Sequence, residues 1–133
     1  MAALISANVN LVLAFLPPVL WLLFYLREDS GRPEPKLLII LTFLGGMASA
    51  FLAMLVELVL LGQNGVALGS ISLVATPFLF FLIIGLVEEY VKYLPVKFLI
   101  IQKKEFDEPV DAMIYMMTAA LGFAALENAL FTF

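Results

Sequence analysis

Four long apolar stretches, separated by three short polar breaks, constrain the fold of this chain more than any other feature. Each stretch is long enough for a helix to cross a hydrocarbon layer, which takes about 20 residues at the rise of an α-helix. A spanning segment must satisfy its own backbone amides, and runs such as LLIILTFL lack the alternation of a barrel strand. The sequence therefore predicts an all-α integral membrane protein with four transmembrane helices.

The predicted helices form a single membrane domain over residues 1–133, at about 3–26, 37–61, 71–101 and 110–131. The Pro17–Pro18 pair should kink or break the first helix, because proline removes a backbone donor and restricts the residue before it.

The basic residues of the polar breaks predict the orientation of the helices. They lie in the first and third breaks, as Arg27, Arg32, Lys36, Lys103 and Lys104, whereas the second break and the N-terminal flank hold no lysine or arginine. Basic loops stay in the cytoplasm, so both the N-terminus and the C-terminus are expected outside.

The composition favours a multi-pass protein of the cell membrane and excludes several classes of site. Hydrophobic residues make up 64% of the chain and charged residues 14%, against about 45–50% and about 25% in ordinary globular domains. Because cysteine and histidine are absent, the chain can form no disulfide, thiolate metal site, His-Glu-x-x-His zinc site or Ser-His-Asp triad of its own. The net charge of −4, without a basic run, argues against nucleic acid as a partner.

Five ionisable residues lie inside the predicted spans: Glu57, Glu88, Glu89, Lys92 and Glu127. An ionised side chain at mid-membrane costs about 2.5–3.5 kcal/mol on insertion scales, so such residues are functional candidates by default. Lys92 follows the paired acids by three and four residues, and its ammonium can therefore reach either carboxylate. One acid could then stay charged while the other holds a proton, as general acid–base catalysis requires. An ion pair that only eases insertion is the alternative.

The helix rise of about 1.5 Å per residue gives the depth of each acid. Glu88 lies about 21 Å and Glu127 about 27 Å from the cytoplasmic helix ends, which predicts a shared pocket in the outer half of the membrane. Glu57 lies at about 31 Å and ends a stripe of small residues, so we interpret it as a rim or packing residue. Asn128 is expected to hold a carboxylate or a substrate carbonyl, or to join helices, and Asp111 to cap the fourth helix.

The third helix contains EEYVKYLPV, and FDEPVDAMIY and LGFAALEN follow it. This order and spacing resemble the PrsW family of intramembrane proteases, relatives of the CAAX-prenyl endopeptidase and bacteriocin-immunity superfamily. The segment REDSGRPEPKLLIILTFLGG also resembles the first cytoplasmic loop and second helix of that family. The resemblance implies cleavage of a membrane-anchored protein such as an anti-sigma factor, with Glu88, Glu89 and Glu127 as catalytic acids. By the same resemblance, the supporting residues are Lys92, Asn128, Asp111 and Tyr115.

The chain also departs from the family pattern. Ala112 and Met116 stand where the family tends to have glycine, and the helices of the family that carry a histidine motif have no counterpart here. The chain is therefore expected to form the N-terminal half of the family fold. Such enzymes are often labelled metalloproteases, but the sequence identifies no ligand set for a divalent metal or another cofactor.

Two other functions use the same acids. In the first, the chain is a catalytically inactive subunit or scaffold of a larger membrane complex, with other membrane subunits as partners and its acids in interhelical hydrogen bonds. In the second, Glu57, Glu89 and Glu127 form a proton or cation relay, although no repeated half-helices support a transporter.

Overall fold

The computed structural model describes residues 2–28, 33–61 and 77–132, and these residues form four α-helices. The helices are α1 (Ala2–Glu28), α2 (Lys36–Leu61), α3 (Pro77–Leu99) and α4 (Pro109–Thr132). The prediction of an all-helical chain with four helices is confirmed.

The third helix ends before its predicted end. Residues 71–76 lie outside the described residues, so the predicted start of this helix is not compared. The helix ends at Leu99, two residues earlier than expected, because Ile100 and Ile101 both donate their N–H to the Val96 carbonyl, at 3.0 and 3.1 Å. A donor five residues beyond its acceptor closes the last helical turn.

Within the described residues, three helices are long and apolar enough to cross a membrane: α1, α2 and α4. Their candidate spans are Val9–Arg27, Lys36–Val59 and Pro109–Thr132. α3 has 23 residues, but Glu88, Glu89 and Lys92 all lie in its central part, so its apolar run is interrupted by charge.

The expected break at Pro17–Pro18 does not occur, since α1 is one continuous helix. The two prolines leave the carbonyls of Leu13 and Ala14 without the N–H donors that a helix normally supplies. Asn128 of α4 donates its Nδ2 to the Ala14 carbonyl at 3.4 Å, a long hydrogen bond. Asn128 of the neighbouring helix thus supplies a hydrogen-bond donor in place of the N–H that Pro18 lacks, as is common for prolines in membrane helices.

α4 is the central helix, because it packs against α1, α2 and α3. Its closest approach is to α2. A Cβ atom on Gly46 would overlap the Ala119 carbonyl, and a Cβ atom on Gly122 would overlap the Phe43 carbonyl. The two backbones therefore touch at two points where only glycine fits, as in the small-residue interfaces of membrane helices.

α2 also packs against α3, through a glycine and a proline. A Cβ atom on Gly45 would lie 2.8 Å from the Cβ atom of Pro95, closer than side chains normally approach. Large apolar side chains on the outer faces of the helices stay exposed, among them Val59, Phe78 and Phe131. Such a surface suits contact with lipid rather than water.

Candidate active site

Three glutamates from three helices line one cavity of about 210 Å³. Glu57 comes from α2, Glu88 from α3 and Glu127 from α4. The other lining side chains are apolar: Ala50, Ala53, Met54, Phe123, Leu130 and Phe131. An apolar cavity with a few converging polar groups is the usual form of a small binding site. The predicted shared pocket of Glu88 and Glu127 is therefore present.

Helical spacing explains why these acids meet. On α2, Ala50, Ala53 and Glu57 are separated by three and four residues and lie on one face. Both alanines are buried, at 4% and 3% exposure, so this face of α2 comes close to its neighbours. On α4, Phe123 and Glu127 are four residues apart, and both line the cavity.

Glu57, which the sequence analysis interprets as a rim or packing residue, is the third acid of the cavity. The structure puts it in the cavity wall, and among the described residues its buried Oε1 atom has no hydrogen-bond partner. Two sequence signals were available. The small residues before Glu57 mark the face that packs inward, and its predicted depth differs from that of Glu127 by less than one helical turn of about 5.4 Å.

Lys92 reaches both acids of the pair, as its spacing predicts. Its Nζ donates to Glu88 Oε2 at 3.2 Å and to Glu89 Oε1 at 2.9 Å. The same ammonium lies 4.5 Å from the centre of the Phe123 ring, within range of a cation–π contact. Lys92 therefore joins the acid pair of α3 to the side chains of α4.

The two acids of the pair have different surroundings. The Glu88 side chain is 27% exposed and lines the cavity, whereas the Glu89 side chain is 74% exposed and is not among the residues that line it. Consecutive residues are about 100° apart around a helix with 3.6 residues per turn, so one of the pair turns away when the other faces the cavity.

Asn128 faces α1 and not the glutamates. Its Nδ2 donates to the Ala14 carbonyl, and it lines a separate cavity with Asn10 and Thr132. Because Asn128 directly follows Glu127, it points about 100° away around α4. Of the two roles expected from the sequence, the structure shows the joining of helices.

Asp111 caps the beginning of α4, as expected. Its Oδ2 atom accepts the backbone N–H of Asp107 at 2.9 Å and of Glu108 at 2.8 Å. Pro109 is the first residue of the helix, where its missing N–H removes no helical hydrogen bond. An acidic side chain in the first turn also complements the helix dipole.

Tyr115 lies one turn beyond Asp111 and is fully buried. Its hydroxyl donates to Glu34 Oε2 at 2.5 Å, which ties α4 to the segment before α2. Tyr115 is twelve residues from Glu127, about 18 Å along the helix. Asp111 and Tyr115 therefore lie at the end of α4 that is far from the cavity, and the structure does not bring them to the glutamates that line it.

Comparison with known proteins agrees with the resemblance of the motifs. The model of the PrsW family of intramembrane metalloproteases matches residues 34–133. The chain belongs to the PrsW family. Membership, together with three helices able to cross a membrane, confirms the prediction of a multi-pass membrane protein that contacts the lipid bilayer.

Curated PrsW relatives are similar over nearly the whole chain. Protease PrsW of Geobacillus kaustophilus (strain HTA426) is 35% identical over 131 residues, which cover 98% of this chain and 52% of the relative. Protease PrsW of Clostridioides difficile (strain 630) is 35% identical over 127 residues, 95% of this chain and 52% of the relative. Protease PrsW of Bacillus subtilis (strain 168) is 30% identical over 131 residues, which cover 98% of this chain and 54% of the relative.

The chain thus spans about half the length of the curated PrsW relatives it matches. No solved structure matches the chain.

The family description includes a metal, and the donor groups of this chain do not form a complete site for one. Residues 2–28, 33–61 and 77–132 contain no group of three acidic side chains close enough to hold a metal ion, although three glutamates share a cavity. Metalloprotease zinc sites combine carboxylates with histidine, and this sequence contains no histidine. The acid–base groups that these residues bring to the cavity are carboxyl groups.

Proposed function

We propose that this chain carries the glutamate cavity of a PrsW-type intramembrane protease, which hydrolyses a peptide bond in a membrane-anchored protein. One observation carries the proposal: Glu57, Glu88 and Glu127, from three different helices, line the same apolar cavity. The relatives are named Protease PrsW, which supports a peptide as the substrate. Carboxyl groups held together in an apolar site are suited to acid–base catalysis.

In the proposed reaction, Glu88 acts as the general base. Its carboxylate takes a proton from a water molecule as the water oxygen attacks the peptide carbonyl carbon. Lys92, whose Nζ donates to Glu88 Oε2 at 3.2 Å, holds that carboxylate in position. Glu127, on the opposite helix, donates a proton to the leaving nitrogen when the C–N bond breaks. Glu89 shares the Lys92 ammonium, and its proposed contribution passes through that lysine.

The proposal includes the membrane arrangement that the sequence predicts. α3 crosses the membrane as a fourth span, and its charges are accommodated by the Lys92 ion pairs and by the cavity. Both termini lie outside, because the basic segments near Arg27 and Lys103 stay in the cytoplasm. Residues 1–133 act as one membrane domain. The substrate is a protein with a membrane span, such as an anti-sigma factor.

The test is cleavage of a single-span reporter protein by the full native protein in membrane vesicles. Glu88→Gln and Glu127→Gln should each reduce cleavage by about 100-fold or more, the usual contribution of a catalytic acid or base. Glu105→Gln is the matched control, because Glu105 is an exposed acid outside the cavity. Unchanged cleavage by both cavity variants would contradict the proposal.

A catalytically inactive subunit or scaffold remains the second candidate, and one observation favours it. Both ion pairs of Lys92 are made within α3, where they ease insertion of the helix without any reaction. Native purification distinguishes the two functions. A subunit should be recovered with partner proteins in fixed proportion, and recovery of the protein alone would count against this role.

A further inference from the structure

A protease that cuts inside a membrane must first unwind its substrate helix, and unwinding frees backbone N–H and C=O groups. The bilayer core has no water to receive them, so each freed group needs a partner supplied by the protein. This requirement makes an unused acceptor beside the cavity significant. The inference that follows rests on the proposed function.

Glu57 supplies such an acceptor. Its Oε1 atom is buried and, among the described residues, has no hydrogen-bond partner, although the side chain lines the cavity. Buried polar atoms without a partner are rare in proteins because they cost free energy, and each one calls for an explanation. The terminal torsion of a glutamate is broad, so either carboxyl oxygen can turn towards a ligand in the cavity.

The surrounding groups leave Glu57 available. Across the cavity lie Glu88 and Glu127, which are acids and do not neutralise it. Lys92 donates to Glu88 and to Glu89. On the same face of α2, the small side chains of Ala50 and Ala53 precede Glu57 and line the cavity with it.

We propose that Glu57 is a substrate-binding residue, whose carboxyl group accepts the N–H of an unwound substrate backbone beside the scissile bond. α2 then holds the extended segment, while Glu88 of α3 and Glu127 of α4 carry out the hydrolysis. The ligand recognised by Glu57 is the peptide backbone itself, so this contact does not depend on the side chains of the substrate.

The first test separates binding from catalysis in the native protein with the single-span reporter. Glu57→Leu keeps the approximate size of the side chain but has no hydrogen-bond acceptor. It should raise KM by about tenfold or more, which corresponds to the free energy of a hydrogen bond to a charged group, while kcat changes little. Glu57→Gln keeps a carbonyl acceptor and should recover most of that loss. If both variants raise KM equally, or if kcat falls with KM unchanged, the proposal is wrong.

The second test measures binding without cleavage. In a Glu88→Gln background, affinity for the uncut reporter should fall by about tenfold with Glu57→Leu. Leu58→Ala is the matched control, because Leu58 is the exposed neighbour of Glu57 on α2 and should leave the affinity unaltered. Equal affinity of the background protein and the Glu57→Leu protein would overturn the inference and leave the proposed protease intact.

The unfolding midpoint of each variant is measured to check that the substitution does not prevent folding. If Glu57→Leu does not fold, Glu57→Met, which is apolar and more flexible, replaces it in both tests with the same expected results. Failure of the proposed function looks different. In that case the Glu88→Gln protein still cuts the reporter, whatever residue stands at position 57.

Discussion

The two ends of α4 bury polar groups in opposite ways. Near its beginning, Asp111 is 3% exposed and Tyr115 fully buried, and both have good partners: two backbone N–H groups for the first and Glu34 for the second. Near its other end, Glu127 shares a cavity with two more acids, one of which has a buried oxygen with no hydrogen-bond partner in the described parts of the chain.

One helix thus has an end whose polar groups are paired and an end where acids converge, which is the reactive end in the proposed function. Polar groups with satisfied hydrogen bonds fix a single arrangement of the chain, whereas acidic groups held together in an apolar cavity lower its stability. Functional sites commonly have this cost, because the arrangement that serves chemistry is not the arrangement of greatest stability. Substitutions at the two ends should therefore have opposite effects on activity and on stability.

The largest expected effect is at the cavity end. Glu127→Gln should reduce reporter cleavage by about 100-fold or more, equal to about 2.7 kcal/mol of transition-state stabilisation. The same variant should unfold at the same or a higher denaturant concentration, because a neutral amide replaces an acid that repels Glu57 and Glu88 once it has given up its proton. Parallel measurement of cleavage and unfolding in detergent micelles checks both outcomes. If the Glu127→Gln protein loses stability as well as activity, substitutions at the two ends of α4 do not have opposite effects.

The contact between α2 and α4 should be the next most sensitive point. Gly122→Val places a branched side chain against the Phe43 carbonyl, so the free energy of unfolding should fall by about 2.5 kcal/mol, near the upper end of the range for overpacking. Gly85→Ala is the control, because a Cβ atom at Gly85 meets nothing within 4 Å. Equal stability of the Gly122→Val protein and the wild type would refute the close backbone contact.

Near the beginning of α4, Tyr115→Phe removes the hydroxyl that donates to Glu34. The free energy of unfolding should fall by about 1.5–3 kcal/mol, as for a hydrogen bond to a charged group. Cleavage per folded molecule should fall far less than with Glu127→Gln, because Tyr115 lies about 18 Å along α4 from that acid. A large loss of cleavage without loss of stability would place Tyr115 in the chemistry instead.

The smallest expected effect concerns Asn128. Asn128→Leu should cost about 0.6 kcal/mol, the average for a polar contact between membrane helices. Pro18→Ala gives α1 its own N–H for the Ala14 carbonyl, so the cost of Asn128→Leu should shrink in that background. A double-mutant cycle on unfolding free energies measures this coupling. Independent, additive effects would mean that the 3.4 Å hydrogen bond contributes nothing.

The sequence predicted the number of helices and the meeting of Glu88 with Glu127. Both predictions rest on fixed quantities: the thickness of the hydrocarbon layer and the rise of a helix per residue. The reach of Lys92 to both neighbouring acids was predictable for the same reason, because it depends only on spacing within one helix.

The rotation of each helix about its axis was not predictable in this way. The apolar residues of α2 and α3 are spread around each helix and not gathered on one face, so their patterns do not show which face points inward. For that reason the sequence did not decide between Glu88 and Glu89, and it left Glu57 as a rim or packing residue. The contact of Tyr115 with Glu34 spans 81 residues of sequence and depends on how the helices are assembled.

The two glycine contacts between α2 and α4 have a consequence for the reaction. Sliding one helix along the other would bring a residue with a Cβ atom to a point where Gly46 or Gly122 now touches a carbonyl. Axial sliding is therefore blocked, and the relative height of Glu57 and Glu127 is set when the bundle folds. Under the proposed function, a peptide that enters the cavity would meet acids already at their working separation, and no binding energy would be consumed in bringing them level.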